Sequence, residues 1–189
     1  MKPALFLDRD GVIIENRSNY VRTWSDVTIY PQAIESLVKV KAIEHKIIII
    51  TNQSAVGRGL ISQEIAQVIN LRLLEEIRSA GGRIDGIFMC PHAPLENCAC
   101  RKPQPGLILD AADSLSLDLN HSILVGDALS DIIAGQSAGV GKNVLVRTGR
   151  GNAQSAVPLA TQIPPFLIYD TLADALSELI PLPGNQSGA

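Results

Sequence analysis

Short apolar runs alternate with longer amphipathic stretches along the chain. The runs are rich in Ile, Leu and Val with few polar interruptions, which is typical of strands buried on both faces of a parallel sheet. They predict strands at residues 4–8, 47–51, 86–89, 122–126, 143–146 and 166–169. The alternation predicts an α/β three-layer sandwich, with a central, mostly parallel Rossmann-like sheet and helices on both faces.

Two amphipathic stretches predict helices that begin at Pro31 and near Ser62. Apolar residues recur in both at intervals of three and four, and we expect them in the core. They are Ile34, Leu37, Val38 and Ala42 in the first helix, and Ile65, Val68, Ile69, Leu73 and Ile77 in the second. The pair Gly81 and Gly82 predicts the end of the second helix.

Size and composition fit one globular domain. The chain has 189 residues, of which 46% are hydrophobic and 19% are charged. A chain of this size buries enough surface to need neither disulfides nor a partner for stability. We therefore expect a monomer with a single domain over residues 1–182, followed by a disordered tail over residues 183–189.

Charge and hydropathy argue against several classes of partner. A net charge of −3 disfavours nucleic acid, which requires a clustered basic face. No apolar run reaches the roughly 18 residues of a membrane span, and the first residues lack the features of a signal peptide. The three cysteines all lie between positions 90 and 100. This odd, clustered set indicates a reducing compartment, which we expect to be the cytoplasm.

Acidic and polar residues follow three of the predicted strands. They are Asp8 and Asp10 after the first strand, Thr51, Asn52 and Gln53 after the second, and Asp127 and Asp131 after the fourth. Ligands of open α/β sheets bind beyond the carboxyl ends of the strands, so we expect a site there. Taken singly, each residue could instead form a turn or cap a helix. Together they offer hard oxygen ligands for Mg²⁺ and neutral donors for an anion.

A loop after the third strand gathers every cysteine of the chain. Cys90, His92, Cys98 and Cys100 fall within eleven residues. Three thiolates and one imidazole form a closed tetrahedral set that suits structural Zn²⁺. The alternative is three free thiols beside a surface histidine, but random placement would rarely gather them so closely.

Basic residues follow the last cysteine directly. A zinc ion at Cys100 would fix where Arg101 and Lys102 project. Lys102 would then act as a point charge on a phosphoryl group, and Arg101 would offer a planar fork to a second acid. Ordinary solvated surface is the alternative. The loops at residues 57–59 and 147–151 also carry arginines. We expect both to be solvated, with closure over an anion as the second possibility.

Five short motifs along the chain are informative when they are taken together. They are FLDRDG at residues 6–11, TNQS at 51–54, the Cys/His loop running into CRKP at 100–103, VGDALSD at 125–131 and VLVRTG at 144–149. This set resembles the haloacid dehalogenase superfamily of Mg²⁺-dependent aspartyl phosphatases. Within it, the motifs are similar to phosphatases of heptose bisphosphates and of histidinol phosphate, over residues 4–151.

The resemblance implies the haloacid dehalogenase fold, with a zinc-loop insertion and no large cap domain. It implies that Asp8 is the nucleophile and that Asp10 is first the acid and then the base. Mg²⁺ would be held by Asp8, the backbone carbonyl of Asp10 and Asp127, with Asp131 behind these ligands. Thr51 and Lys102 would hold the transferring phosphoryl group.

The resemblance also implies a small sugar phosphate as substrate. The reaction would remove the 7-phosphate of a heptose 1,7-bisphosphate, with histidinol phosphate as the alternative substrate. The expected substrate contacts are Asn16, Arg17, Ser18, Asn19, Tyr20, Asn52, Gln53, Ser54 and Arg101. One position departs from the pattern, because Ala128 stands where heptose bisphosphatases commonly carry a lysine. That change removes one expected cation from the substrate site.

Overall fold

The computed structural model describes residues 1–180, and the tail expected at 183–189 lies outside that range. Six parallel strands form one sheet in the order β3-β2-β1-β4-β5-β6. The strands are β1 (Lys2–Leu7), β2 (Lys46–Asn52), β3 (Gly86–Cys90), β4 (Leu117–Gly126), β5 (Lys142–Val146) and β6 (Leu167–Tyr169). The α-helices are α1 (Pro31–Lys39), α2 (Ser54–Gly57), α3 (Gln63–Ser79), α4 (Gly106–Leu115), α5 (Leu129–Ala138), α6 (Gly151–Ser155) and α7 (Leu172–Leu179).

Alternate residues of the central strands pack on opposite faces of the sheet. Leu5 and Leu7 of β1 join a core with helices α1, α3 and α7. Ala4 and Phe6 join a second core with α4 and α5. This arrangement follows from the two-residue period of a strand, and it explains why β1 reads as a continuous apolar run. The predicted three-layer α/β sandwich is therefore confirmed.

Two details of the predicted helices are wrong. Helix α1 ends at Lys39, so Ala42 lies beyond it and is exposed. In α3, Ile65 is 45% and Val68 is 62% exposed, because the buried face instead includes Asn70. The Asn70 side chain points inward and accepts a hydrogen bond from the buried Arg9, so this polar residue shares the buried face with Ala66, Ile69, Leu73 and Ile77.

The strand order brings the expected site residues to one edge of the sheet. The order of the strands reverses beside β1, which pairs with β2 on one side and with β4 on the other. Such a switch point leaves a crevice beyond the carboxyl ends of the strands. Asp8, Thr51 and Asp127 therefore lie at neighbouring strand ends. Among the described helices, none is both long and apolar enough to cross a membrane.

Candidate active site

A buried lysine joins two carboxylates at the mouth of the sheet. The Nζ atom of Lys102 lies 2.8 Å from Oδ1 of Asp8 and 2.8 Å from Oδ1 of Asp131. All three side chains are almost fully buried. Asp131 also caps helix α5, because its Oδ2 accepts a hydrogen bond from the backbone N–H of Ala128 at 3.0 Å. The two roles that the sequence left open for Asp131, in the site and at the helix terminus, are thus combined.

The carboxylate of Asp127 is enclosed by two loops from distant parts of the chain. Gly11 and Gly149 both have positive φ, and a Cβ atom on either would collide with this carboxylate. The hydroxyl of Thr148 donates to the carbonyl of Gly11 at 2.6 Å and holds the loops together. The backbone N–H of Arg150 donates to Oδ2 of Asp127 at 2.8 Å. Both glycines are therefore required for the close approach of these loops.

Three of these carboxylates could hold a divalent cation. One oxygen from each of Asp8, Asp127 and Asp131 lies within 4.8 Å of the others. Buried like charges at this separation favour either a bound cation or a proton, and carboxylate oxygens suit Mg²⁺. The side chain of Asp10 is not in this group, so of Asp10 only the backbone remains as an expected ligand.

The side chain of Asp10 is instead held by a buried guanidinium. Nε and Nη2 of Arg9 donate to the two oxygens of Asp10 at 3.0 and 3.2 Å. Arg9 is itself fixed by Asn70 at 2.7 Å and by Gln53 at 2.9 Å. The amide of Gln53 also donates to Asp10 at 3.2 Å and to the hydroxyl of Thr51 at 2.7 Å. A hydrogen-bonded network therefore orients Asp10, and two of its members, Arg9 and Asn70, belong to no predicted site.

Two polar residues, one at the end of β2 and one at the start of α2, position the Arg101–Lys102 pair. The side-chain amide of Asn52 donates to the carbonyl of Lys102 at 3.0 Å and accepts from its N–H at 3.1 Å. The hydroxyl of Ser54 accepts from Nη1 of Arg101 at 2.8 Å, and the carbonyl of His92 does so at 3.2 Å. The Asn52 side chain is thus already committed to holding the loop that carries Lys102.

A cavity of about 500 Å³ opens over these groups. Most of the expected substrate contacts line it, namely Asn16, Arg17, Ser18, Tyr20, Asn52, Gln53, Ser54 and Arg101. Asn19 instead faces a neighbouring cavity beside Ser25 and Asp26. Arg150 also lines the main cavity, so the expectation of a merely solvated loop is wrong for this residue. The spacing of Gly149 and Gly151 after an apolar strand was the available signal for this loop.

The four predicted zinc ligands converge. Sγ of Cys100 lies 3.1 Å from Sγ of Cys90, 3.5 Å from Sγ of Cys98 and 3.3 Å from Nδ1 of His92. Soft donors at these separations are compatible with a tetrahedral structural zinc site. Cys90 ends β3, and the loop returns to Lys102 two residues after Cys100. A metal here would therefore anchor Arg101 and Lys102 to the edge of the sheet.

Zinc should be measurable in the purified protein. We expect about one zinc ion per chain by elemental analysis, because four ligands close the coordination shell. Treatment with 1,10-phenanthroline should lower Tm by about 5 °C or more, and the non-chelating 1,7 isomer serves as the control. Zinc-free protein after purification without chelators would contradict the assignment.

Burial also controls the charge on the site carboxylates. Desolvation raises the pKa of Asp8 to about 7, although the ammonium of Lys102 opposes the shift. Desolvation likewise raises the pKa of Asp127, against the opposing effect of Arg150. Asp8 is thus costly to ionise in the folded protein unless a further cation is bound.

This shift predicts a pH-dependent stability in magnesium-free buffer. The folded pKa of Asp8 is about 7, above its usual value of 3.8. The contribution of Asp8 to the free energy of unfolding is therefore fully present below pH 3.8 and is lost as pH rises through about 7. Asp8→Asn should therefore stabilise the metal-free protein at pH 8 more than at pH 5, as measured by urea unfolding. A stabilisation that is equal at both pH values would contradict the shift.

Comparisons with known proteins agree with this fold. A HAD-hydrolase-like family model matches residues 99–175. A D-glycero-beta-D-manno-heptose-1,7-bisphosphate 7-phosphatase from Photorhabdus laumondii is 36% identical, covering 91% of this chain and 92% of its own length. A D-glycero-alpha-D-manno-heptose-1,7-bisphosphate 7-phosphatase from the same organism is 39% identical, covering 79% and 85%.

A solved structure adds a three-dimensional match. The D,D-heptose 1,7-bisphosphate phosphatase of B. bronchiseptica, complexed with magnesium and phosphate, has a TM-score of 0.85 at 32% identity and covers 94% of this chain and 97% of its own. The parallel sheet and the carboxylate–lysine cluster at its mouth define a hydrolase of the haloacid dehalogenase-like class. Within that class, the chain belongs to the family of the D-glycero-D-manno-heptose-1,7-bisphosphate 7-phosphatases.

Proposed function

We propose that this protein is a phosphatase that removes the 7-phosphate of a heptose 1,7-bisphosphate with the help of Mg²⁺. The names of the relatives support the substrate, and magnesium and phosphate in the B. bronchiseptica structure support the metal. The observation that carries the proposal is the pairing of Lys102 with Asp8 at the base of a cation-lined cavity. This pairing places a positive charge beside the attacking oxygen, where negative phosphoryl oxygens arrive.

The reaction proceeds in two balanced steps. A carboxylate oxygen of Asp8 attacks phosphorus, the bond to the sugar oxygen breaks, and Asp10 gives its proton to the leaving alkoxide. Water then attacks phosphorus of the aspartyl-phosphate, Asp10 takes its proton, and inorganic phosphate leaves while Asp8 is restored. Arg9 and Gln53 hold Asp10 in one orientation throughout. Lys102 lines the cavity and stabilises the transferring group. Thr51 is fully buried and its hydroxyl accepts a hydrogen bond from Gln53, so its contact with the phosphoryl group stays a prediction.

The carboxylate set fits magnesium. Asp8 and Asp127 would supply side-chain oxygens, and Asp10 would supply its backbone carbonyl. Asp131 is paired with Lys102 and with the N-terminus of α5, and would stay behind these ligands. Bound Mg²⁺ neutralises the phosphoryl oxygens and keeps Asp8 ionised as a nucleophile.

The charge of the cavity favours a bisphosphate over histidinol phosphate. Arg17 and Arg101 line the cavity. Lys102 and Arg150 line it as well, but each is paired with a buried carboxylate. One transferring phosphate does not use all of these cations. A second phosphate provides the matching negative charge. The ammonium group of histidinol would instead face these guanidiniums and be repelled.

A substrate panel tests the proposal. Initial rates of phosphate release should be compared, with Mg²⁺ present, for both anomers of heptose 1,7-bisphosphate, for fructose 1,6-bisphosphate and for histidinol phosphate. We expect the highest kcat/KM for a heptose bisphosphate, and ³¹P NMR should show the 7-phosphate leaving while the 1-phosphate remains. A clear preference for histidinol phosphate would overturn the substrate assignment.

We further propose that residues 1–182 act as one monomeric domain in the cytoplasm. The single sheet with a core on each face supports one domain. The thiolate ligands of the zinc cluster support a reducing compartment. Analytical ultracentrifugation of the full chain tests the monomer, because a dimer at micromolar concentration would contradict it.

A further inference from the structure

The cation that holds Asp127 is an arginine on a surface loop. Nη2 of Arg150 lies 3.0 Å from Oδ1 of Asp127, and its Nε lies 3.3 Å from Oδ2. The Asp127 side chain is fully buried, whereas that of Arg150 is 53% exposed and borders the cavity. Both carboxylate oxygens are therefore occupied by a group that reaches in from solvent.

The guanidinium of Arg150 opposes the binding of a second cation to Asp127. Asp127 offers one carboxylate oxygen to the possible cation site that it forms with Asp8 and Asp131. Arg150 contacts both oxygens of Asp127, so it also contacts that one. A carboxylate has lone pairs for more than one partner, but two cations held on it repel each other, so the Arg150 guanidinium weakens cation binding by Asp127. A buried carboxylate without any counter-charge would in turn be costly, so Arg150 compensates Asp127 whenever no metal does so.

The Arg150 side chain can leave while its backbone stays in place. Its N–H remains bound to Oδ2 of Asp127 at 2.8 Å. The loop is also anchored by the hydrogen bond from Thr148 to Gly11 at 2.6 Å. The backbone of Arg150 is therefore fixed at the rim of the cavity, while its half-exposed side chain has solvent beside it.

We propose that Mg²⁺ and Arg150 exchange on Asp127, and that the released guanidinium then binds the phosphate of the substrate that is not transferred. Arg150 is thus a specificity residue for bisphosphates, and its availability depends on the metal. Binding of metal and of bisphosphate are then linked, because each favours the state in which the guanidinium has left Asp127. This inference rests on the proposed phosphatase function and assigns a residue to it.

Magnesium binding provides a test that needs no turnover. Isothermal titration of the full chain with MgCl₂ alone should show about tenfold tighter binding for Arg150→Met than for the wild type, because the competitor is gone. The matched control is Arg147→Met in the same loop, whose guanidinium pairs with Asp170 at 2.8 Å, and it should bind as the wild type does. Equal or weaker binding by Arg150→Met would overturn the exchange.

Kinetics with two substrates test the second part of the proposal, the role of Arg150 in specificity for bisphosphates. With saturating Mg²⁺, Arg150→Met should raise KM for heptose 1,7-bisphosphate by about 30-fold, because a charged contact with the phosphate is lost. It should change kcat/KM for p-nitrophenyl phosphate less than threefold. Equal losses on both substrates would overturn the role in specificity. Failure of the wild type on every phosphate ester would sink the proposed function, while the titration would still decide the exchange.

Discussion

Asp8→Asn should abolish phosphate release, with kcat lowered by about four orders of magnitude or more. The amide cannot form the phosphoryl ester, and none of the neighbouring carboxylates can replace Asp8. Asp10 is held by Arg9, and Asp131 is paired with Lys102 and bound to the start of α5. Steady-state release from heptose 1,7-bisphosphate at saturating Mg²⁺ measures the loss.

A matched variant separates chemistry from folding in that experiment. Asp118→Asn removes a carboxylate that pairs with His121 at the opposite end of β4, and it should leave the rate unchanged. Hydroxylamine quenching should also convert Asp8 of the wild type to a hydroxamate that mass spectrometry locates. Residual activity above about 1% in a well-folded Asp8→Asn protein, or a hydroxamate on another residue, would contradict Asp8 as nucleophile.

Lys102→Met should reduce both activity and stability. Its ammonium lies between two buried carboxylates, and removing one partner of such a buried pair costs about 3 to 5 kcal/mol. We expect kcat/KM to fall by about 10²- to 10³-fold, because a positive charge beside the transferring phosphoryl group is lost. Urea unfolding and phosphate release measure the two effects.

The two effects of Lys102→Met can be separated. The stability loss should be smaller at pH 5 than at pH 8, because Asp8 can take up a proton to relieve the unpaired charge. Added Mg²⁺ should restore part of the stability but not the rate. Lys39→Met, at the exposed end of α1, is the control. A stability loss that does not depend on pH would contradict the electrostatic explanation.

The sequence predicted the sheet and the convergence of its strand ends for the same reason. Strands that are buried on both faces have continuous apolar sequences. The polar site residues follow directly where such a sequence ends, as Asp8 follows β1 and Asp127 follows β4. Parallel pairing then brings those ends together whatever their separation along the chain. The convergence of Cys90, His92, Cys98 and Cys100 was also predictable, because their spacing is local.

Partners that meet only in three dimensions could not be predicted. Arg9 lies between two carboxylates in sequence, but its contact with Asn70 spans 61 positions and follows no local pattern. Val68, which the apolar spacing of α3 placed in the core, faces solvent. Arg150 likewise reaches Asp127 across a strand and a helix, so charge alone could not distinguish it from the solvated Arg147.

The enclosure of Asp127 by Gly11 and Gly149 ties cation affinity to the completion of folding. Thr148 and Gly11, which close this enclosure, are 137 positions apart in the sequence, so the enclosure requires the folded sheet that places the ends of β1 and β5 on either side of β4. Partly folded chains therefore lack the binding site. An added divalent ion binds only the folded protein and shifts the folding equilibrium towards it by mass action. Refolding yield should accordingly rise with magnesium concentration even when no sugar phosphate is present.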